Sequence, residues 1–284
     1  MNAVTERALV WRIAEFVKIS HTVFALPFAL ASMLVAARGL PDLKILFWIL
    51  FCMVTARTAA MAFNRVADWE IDKKNPRTAI RSKLIPHALA KFLVYTSIVF
   101  FVYGSAQLNW LCAALSPLAV GIILFYSITK RFTPYSHFFL GMALGVAPVG
   151  AWIAVRGHID SFLPFLLCLA VVLWVFGFDL IYATQDVAFD QQSGLFSFPA
   201  HYGVSAALKL SLALHSTAIT LMALWGWLAE LKWPFAVAWL GVAIALWIEQ
   251  KWARTGNILQ INKAFFQINA CVSFLILVGV IFAV

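Results

Sequence analysis

Apolar stretches close to the roughly 20 residues that a helix needs to cross about 30 Å of hydrocarbon recur from one end of this chain to the other. They fall at about 20–37, 44–64, 91–106, 110–128, 136–155, 161–184, 205–228, 233–249 and 265–284. The pattern predicts nine transmembrane helices, and so an all-α, polytopic membrane protein with a single domain over 1–284. Pro27, Pro117 and Pro148 interrupt three of these runs. Membrane helices tolerate such breaks where neighbours re-satisfy the backbone. Before the first run, charged and apolar residues alternate without the short apolar core and cleavage site of a signal peptide. There Leu9, Ile13, Phe16 and Val17 predict one face of an interfacial helix.

Composition agrees with a lipid solvent: 63% of the 284 residues are apolar and 12% charged, against about a quarter charged in soluble domains. A net charge of +9 would fit nucleic acid as a partner, but the distribution of the charges argues against it. Nine spans put the termini on opposite sides. Sixteen Lys and Arg residues, among them Arg7, Arg12, Lys18, Lys73, Lys74, Arg81 and Lys251, fall on the amino-terminal side. Only Arg38, Lys44, Arg156 and Lys232 fall on the other, and Arg57 lies inside a span. By the positive-inside rule the amino terminus and the loops on its side face the cytoplasm, as in a multi-pass protein of the inner (cytoplasmic) membrane. The four cysteines are scattered singly through apolar runs, which predicts neither a disulfide framework nor a zinc site. The aromatic residues read mostly as lipid-facing bulk and interfacial belt. No protein partner is evident.

The acids are the informative residues. Of twelve, half lie in Asn64-Arg-Val-Ala-Asp68-Trp-Glu70-Ile-Asp72 and in Asp179-Leu-Ile-Tyr182-Ala-Thr-Gln-Asp186-Val-Ala-Phe-Asp190. Helical periodicity puts Asn64, Asp68 and Asp72 on one face, with Glu70 pointing away as a solvated residue. It likewise aligns Asp179, Tyr182, Asp186 and Asp190 in one stripe. Carboxylates stacked at a membrane boundary repel unless cations compensate them. Asp68, Asp72, Asp186 and Asp190 are therefore candidate Mg²⁺ ligands, because Mg²⁺ takes one or two carboxylates together with substrate phosphate oxygens. The plainer alternative is two acidic helix ends salt-bridged to nearby Lys and Arg.

Basic residues complete a candidate anion site. Lys73, Lys74, Arg77 and Arg81 follow the first acidic cluster, and Tyr126 and Lys130 stand one turn apart at the end of the fourth span, with Arg131 next. Such cations stabilise charge on a departing phosphate group, although Lys130 and Arg131 equally suit membrane anchoring. Arg57 shares a helix face with Asn64 inside an apolar span. An intramembrane Arg is a functional candidate by default, here paired either with Asp179 or with a substrate carboxylate. His21 reads as an interfacial residue or a pocket hydrogen-bonding group.

At these motifs the chain resembles the UbiA-type superfamily of intramembrane prenyltransferases. The family pattern NDxxDxxxD is matched by Asn64, Asp68 and Asp72. The second aspartate motif is matched by Tyr182, Asp186 and Asp190, with Asp179 upstream, and Tyr-x-x-x-Lys by Tyr126 and Lys130. The stretches His21 to Pro27, Asn75 to Arg81, Lys130 to Thr133 and Gly177 to Asp190 are most similar to the 4-hydroxybenzoate polyprenyltransferases and their hydroxynaphthoate relatives. The sequence departs from the pattern at Arg65, where a second acid is common, and at Ser82 to His87, where a Pro/Gly-rich turn is common. The resemblance implies helices around a central cavity capped by cytoplasmic loops. It also implies Mg²⁺-assisted transfer of an all-trans polyprenyl group from its diphosphate to an aromatic hydroxy acid in ubiquinone or menaquinone synthesis. In that reaction Asn64 assists the metal, Asp179 orients the acceptor or helps remove its ring proton, and Arg77, Tyr126, Lys130 and Arg131 take up diphosphate charge. The rival class is a cation or solute transporter, whose acids belong nearer mid-membrane.

Overall fold

A computed structural model describes residues 8–18, 24–75 and 78–284, and among them every regular element is helical. In chain order these are α1 (Leu9–Phe16), α2 (Leu26–Ala37), α3 (Leu43–Ala67), α4 (Trp69–Lys74), α5 (Arg81–Leu84), α6 (His87–Leu108), α7 (Trp110–Thr129) and α8 (Ser136–Arg156). They continue with α9 (Leu163–Ala183), α10 (Val187–Gln192), α11 (Phe198–Tyr202), α12 (Val204–Leu228), α13 (Trp233–Ala253), α14 (Ile258–Lys263) and α15 (Asn269–Ala283). A 3₁₀ turn, Thr184–Asp186, joins α9 to α10, and a π-helical turn, Ala264–Ile268, joins α14 to α15.

Eight of these helices, counting α9 with α10 and α14 with α15, are long and apolar enough to cross a bilayer. The expected first span is present as the shorter α2. Pro27 sits in the first turn of α2, where a missing N–H costs nothing, so the proline starts that helix instead of interrupting it. Pro117 and Pro148 do lie within α7 and α8. At the second, the Ser32 hydroxyl donates to the Pro148 carbonyl at 2.7 Å, tying α2 to α8. The interfacial helix expected near the amino terminus is docked against the bundle. Phe16 and Val17 are buried with Met61, Ala62, Leu84 and Val94, and Arg12 Nε donates to the Leu84 carbonyl at 2.6 Å.

The main core gathers around α9. Its Trp174 is fully buried, as is Trp225 of α12, so these rings are core and not lipid-facing, whereas Trp11, Trp110, Trp227 and Trp233 are exposed. Gly141 and Gly145 on α8 let α9 approach closely: a Cβ on Gly141 would stand 2.5 Å from the Val172 carbonyl oxygen. Small residues four apart are a common device for close packing of membrane helices. A polar network fastens the other side of α9. Asn269 accepts from Trp174 Nε1 at 2.9 Å and donates to the buried Glu249 at 2.8 Å. Gln250 Nε2 donates to Ser211 Oγ, which donates to the Gly177 carbonyl, both at 2.8 Å. These bonds tie α9 to α12, α13 and α15, and so fix the stem of the helix that ends in the second acidic cluster. All four cysteines are free.

Candidate active site

The first acidic cluster keeps its register across a break. α3 ends at Ala67, yet Asp68 N–H still donates to Asn64 O at 2.9 Å and Asp72 N–H to Asp68 O at 2.7 Å. The expected face therefore survives, and Asp68 and Asp72 are both buried. Glu70 points to solvent and pairs with Lys73 at 2.8 Å, as its position on the helix predicted. The second stripe runs from α9 through the 3₁₀ turn into α10. Tyr182 on it stacks against Phe265 of the π-helical turn, with centroids 4.1 Å apart.

Both clusters line one chamber of about 400 Å³. Asn64, Asp68 and Asp72 border it together with Arg57 from the same helix, and so do Asp179, Tyr182, Asp186 and Asp190 of the second stripe, with Tyr126 and Lys130. A second cavity of about 390 Å³, walled mainly by apolar residues of α3, α6, α7 and α8, meets it at Arg57, Tyr126, Leu140 and Leu144. A polar space thus adjoins an apolar one.

Cations already pair with the first acids. Lys130 Nζ lies 2.5 Å from Asp68 Oδ2, Arg81 3.2 Å from Asp72, and Arg65 3.8 Å from Asp72. Arg65, where the resemblance implied a second acid, therefore supplies positive charge. Burial pushes the Asp68 carboxyl above the usual carboxylate range, against the pull of Lys130. Asp68 Oδ1 is buried without a hydrogen-bond partner, which leaves an acceptor suited to a hard cation. Among the described residues no three His, Cys, Asp or Glu side chains converge as a ready-made metal cage. Paired carboxylates fit Mg²⁺, which takes one or two of them and completes its shell with phosphate oxygens and water.

Several expectations change. Arg57 does not pair with Asp179; its Nε is buried without a partner. Asp179 is engaged instead by His137, whose Nδ1 lies 2.6 Å from Asp179 Oδ2. Arg131 stays on the rim, exposed, where it donates to the Ala67 carbonyl and stands 3.9 Å from Asp68 Oδ1. His21 and Arg77 lie outside the described residues. Sequence reasoning missed His137 and the place of Lys18. His137 belongs to no spaced motif; the one signal was an ionisable residue at the start of an apolar span. Lys18 counted only as a topological charge, yet it lines the chamber. Burial, and the nearby Arg65 and Arg81, push its ammonium below the ordinary lysine value.

The bundle and its chamber define a class: a membrane-embedded all-helical protein whose paired acids and clustered cations form a polar site beside an apolar cavity. Residues 25–271 match the UbiA prenyltransferase family, and the chain belongs to that family. It is 30% identical over 217 residues to a 4-hydroxybenzoate octaprenyltransferase of Coxiella burnetii, covering 75% of this chain and 73% of the relative. It is 29% identical over 189 residues to the mitochondrial 4-hydroxybenzoate polyprenyltransferase of Caenorhabditis elegans, covering 64% of this chain and 52% of the other, so it spans about half of that longer relative. Among solved structures, a UbiA homolog from Aeropyrum pernix K1 superposes with a TM-score of 0.84 at 33% identity, covering 92% of this chain and 97% of that one. A UbiA homolog from Archaeoglobus fulgidus bound to GPP and Mg²⁺ shares the fold, with a TM-score of 0.69 at 16% identity over 93% and 99% of the two chains.

Proposed function

We propose that this protein transfers an all-trans polyprenyl group from its diphosphate to an aromatic hydroxy acid of the 4-hydroxybenzoate or hydroxynaphthoate type, in quinone biosynthesis. The observation that carries the reading is the convergence of both acid pairs, with Lys18, Arg65, Arg81 and Lys130, on one chamber that adjoins an apolar cavity. A molecule with a strongly anionic head and a long apolar tail fits that shape, and a prenyl diphosphate is such a molecule. The acceptor named for the Coxiella and Caenorhabditis relatives, 4-hydroxybenzoate, points the same way.

In this reading Asp68 and Asp72, and Asp186 and Asp190, would hold Mg²⁺, with Asn64 assisting, and the metal would supply positive charge to offset that of the diphosphate. Lys130, Arg131, Arg77 and the Tyr126 phenol take up charge as the allylic C–O bond breaks. The apolar walls keep water from the allylic cation. Arg57, two helical turns or roughly 10 Å from Asn64 by helix rise, takes the acceptor carboxylate, because it lines the chamber from inside an apolar span with its Nε buried and lacking a hydrogen-bond partner, which calls for an anion. The chamber faces the cytoplasm across the inner membrane, as the excess of Lys and Arg on that side predicts. The acids gather at one end of the helices, not at mid-membrane, which disfavours a transporter.

The direct test supplies membranes containing the protein with a polyprenyl diphosphate, Mg²⁺ and each candidate acid, and reads product mass. A prenylated acid is expected with the intact protein, and none after chelation of Mg²⁺ with EDTA. Asp68→Ala and Asp186→Ala should each lower turnover by about 10³-fold or more without unfolding the bundle. Near-normal turnover in either variant would refute the metal assignment.

A further inference from the structure

Transfer to an aromatic ring leaves a proton to be removed, and the reading above commits Asp68, Asp72, Asp186 and Asp190 to the metal. Asp68 and Asp72 are occupied by Lys130, Arg81 and Arg65. Asp179 and His137 form a separate pair. His137, the second residue of α8, is buried and lies parallel to Phe176, the ring planes 12° apart. The backbone N–H of Phe198 donates to His137 Nε2 at 3.4 Å. A nitrogen that accepts carries no hydrogen, so the hydrogen is on Nδ1 and points at Asp179 Oδ2, 2.6 Å away. Both ring nitrogens are thereby engaged, and the imidazole has no lone pair to offer a substrate. What it leaves available is the other oxygen: Asp179 Oδ1 makes no hydrogen bond among the described residues, and Asp179 lines the chamber. Asp179 precedes Asp186 by two helical turns, roughly 10 Å of helix rise. Arg57 precedes Asn64 by the same interval.

We propose that Asp179 is the base that takes the proton from the acceptor's ring carbon, and that His137 is the positioning residue that holds Asp179 for it. The inference rests on the aromatic-acceptor reading above. The allylic C–O bond breaks and the diphosphate leaves with its electron pair. A π pair of the ring forms the new C–C bond at the carbon beside the hydroxyl. The C–H pair of that carbon then returns to the ring as its proton passes to Asp179 Oδ1, and from there to water. No oxidant or reductant is needed. The ring carbon is a better proton source for this group than the acceptor's hydroxyl. Carboxylic acids as a class release protons near 4 and phenols near 10, so drawing a proton from a neutral phenol runs far uphill. A ring carbon that has just gained a cationic substituent gives its proton up readily.

The test uses the full chain with geranyl diphosphate, Mg²⁺ and 4-hydroxybenzoate carrying hydrogen or deuterium at both positions beside the hydroxyl. Asp179→Asn is expected to lower the yield of prenylated acid by about 10²-fold or more while geranyl diphosphate binding, read by calorimetry, stays within about twofold. In Asp179→Asn and His137→Phe, deuterium should slow the reaction more than in the intact protein, because proton loss becomes the slow step. His137→Asn, which keeps a side-chain N–H donor, should recover part of the rate and lower the isotope sensitivity. Unchanged product formation in Asp179→Asn, or slow variants with the isotope sensitivity of the intact protein, would overturn the assignment. Failure of the intact protein to prenylate any aromatic acid would overturn the acceptor reading and take this inference with it.

Discussion

Lys18 shows how a binding residue can oppose folding. Its ammonium is partly buried, close to the cations of Arg65 and Arg81, and both effects disfavour its charged form. Between its lowered folded value and the ordinary lysine value, the folded chain binds fewer protons than the unfolded one. Stability therefore rises with pH through that window and loses that contribution below it. An arriving diphosphate reverses the balance by giving the three cations a common partner. Lys18→Met is thus expected to stabilise the ligand-free protein at neutral pH by about 0.5 kcal/mol while weakening geranyl diphosphate binding about tenfold. Thermal unfolding in detergent with and without the ligand checks both signs. Lys130 should behave differently, because its partner is the buried Asp68. Lys130→Met leaves that carboxylate with a long hydrogen bond from Asn64 at 3.5 Å and Arg131 at 3.9 Å, neither as close as the lost ammonium, so the variant should lose both stability and diphosphate affinity.

At the scale of elements, α9 carries chemistry on one side and is clamped on the others. The Gly141–Gly145 face of α8 sets how close α8 and α9 lie, and His137 sits one turn before Gly141. Gly141→Ala places a methyl 2.5 Å from the Val172 carbonyl oxygen. Backbone must move, so a loss of about 1–3 kcal/mol is expected, together with a larger fall in turnover than in geranyl diphosphate binding, since the His137–Asp179 distance changes. On the opposite side, Asn269→Ala removes the partner of Trp174 Nε1 and of Glu249. Two buried polar groups are then unsatisfied at about 1–3 kcal/mol each, and the melting temperature should fall accordingly.

At the scale of the molecule, the positive-inside imbalance predicts the side on which the chamber opens. Single cysteines placed at Lys74 and Lys232, in a background lacking the four native thiols, should differ in labelling by a membrane-impermeant maleimide. Lys74 should react only in inverted vesicles and Lys232 only in right-side-out ones. The reverse pattern would turn the chamber to the other face of the membrane. The apolar cavity beside the chamber gives the proposed prenyl chain surroundings as apolar as the lipid it leaves, which a polar cleft could not supply.

The class of protein and much of the site are local properties. Lipid demands apolar runs of one length, and helical periodicity decides that Asn64, Asp68 and Asp72, and Asp179, Tyr182, Asp186 and Asp190, each share a face. These features hold whatever the neighbours do, so reading along the chain finds them. Which residues meet across the bundle is not local. Nothing in the spacing of His137 points to Asp179, 42 positions away. Only the packing of α8 on α9 brings them together, and the same packing withdraws Asp179 from Arg57. Pro27 reads as an interruption until the structure shows that α2 begins there. Lys18 and Arg65 read as ordinary cations until folding brings them to one chamber with Arg81 and Lys130. Periodicity determined what each helix could offer, and tertiary packing decided which offers meet.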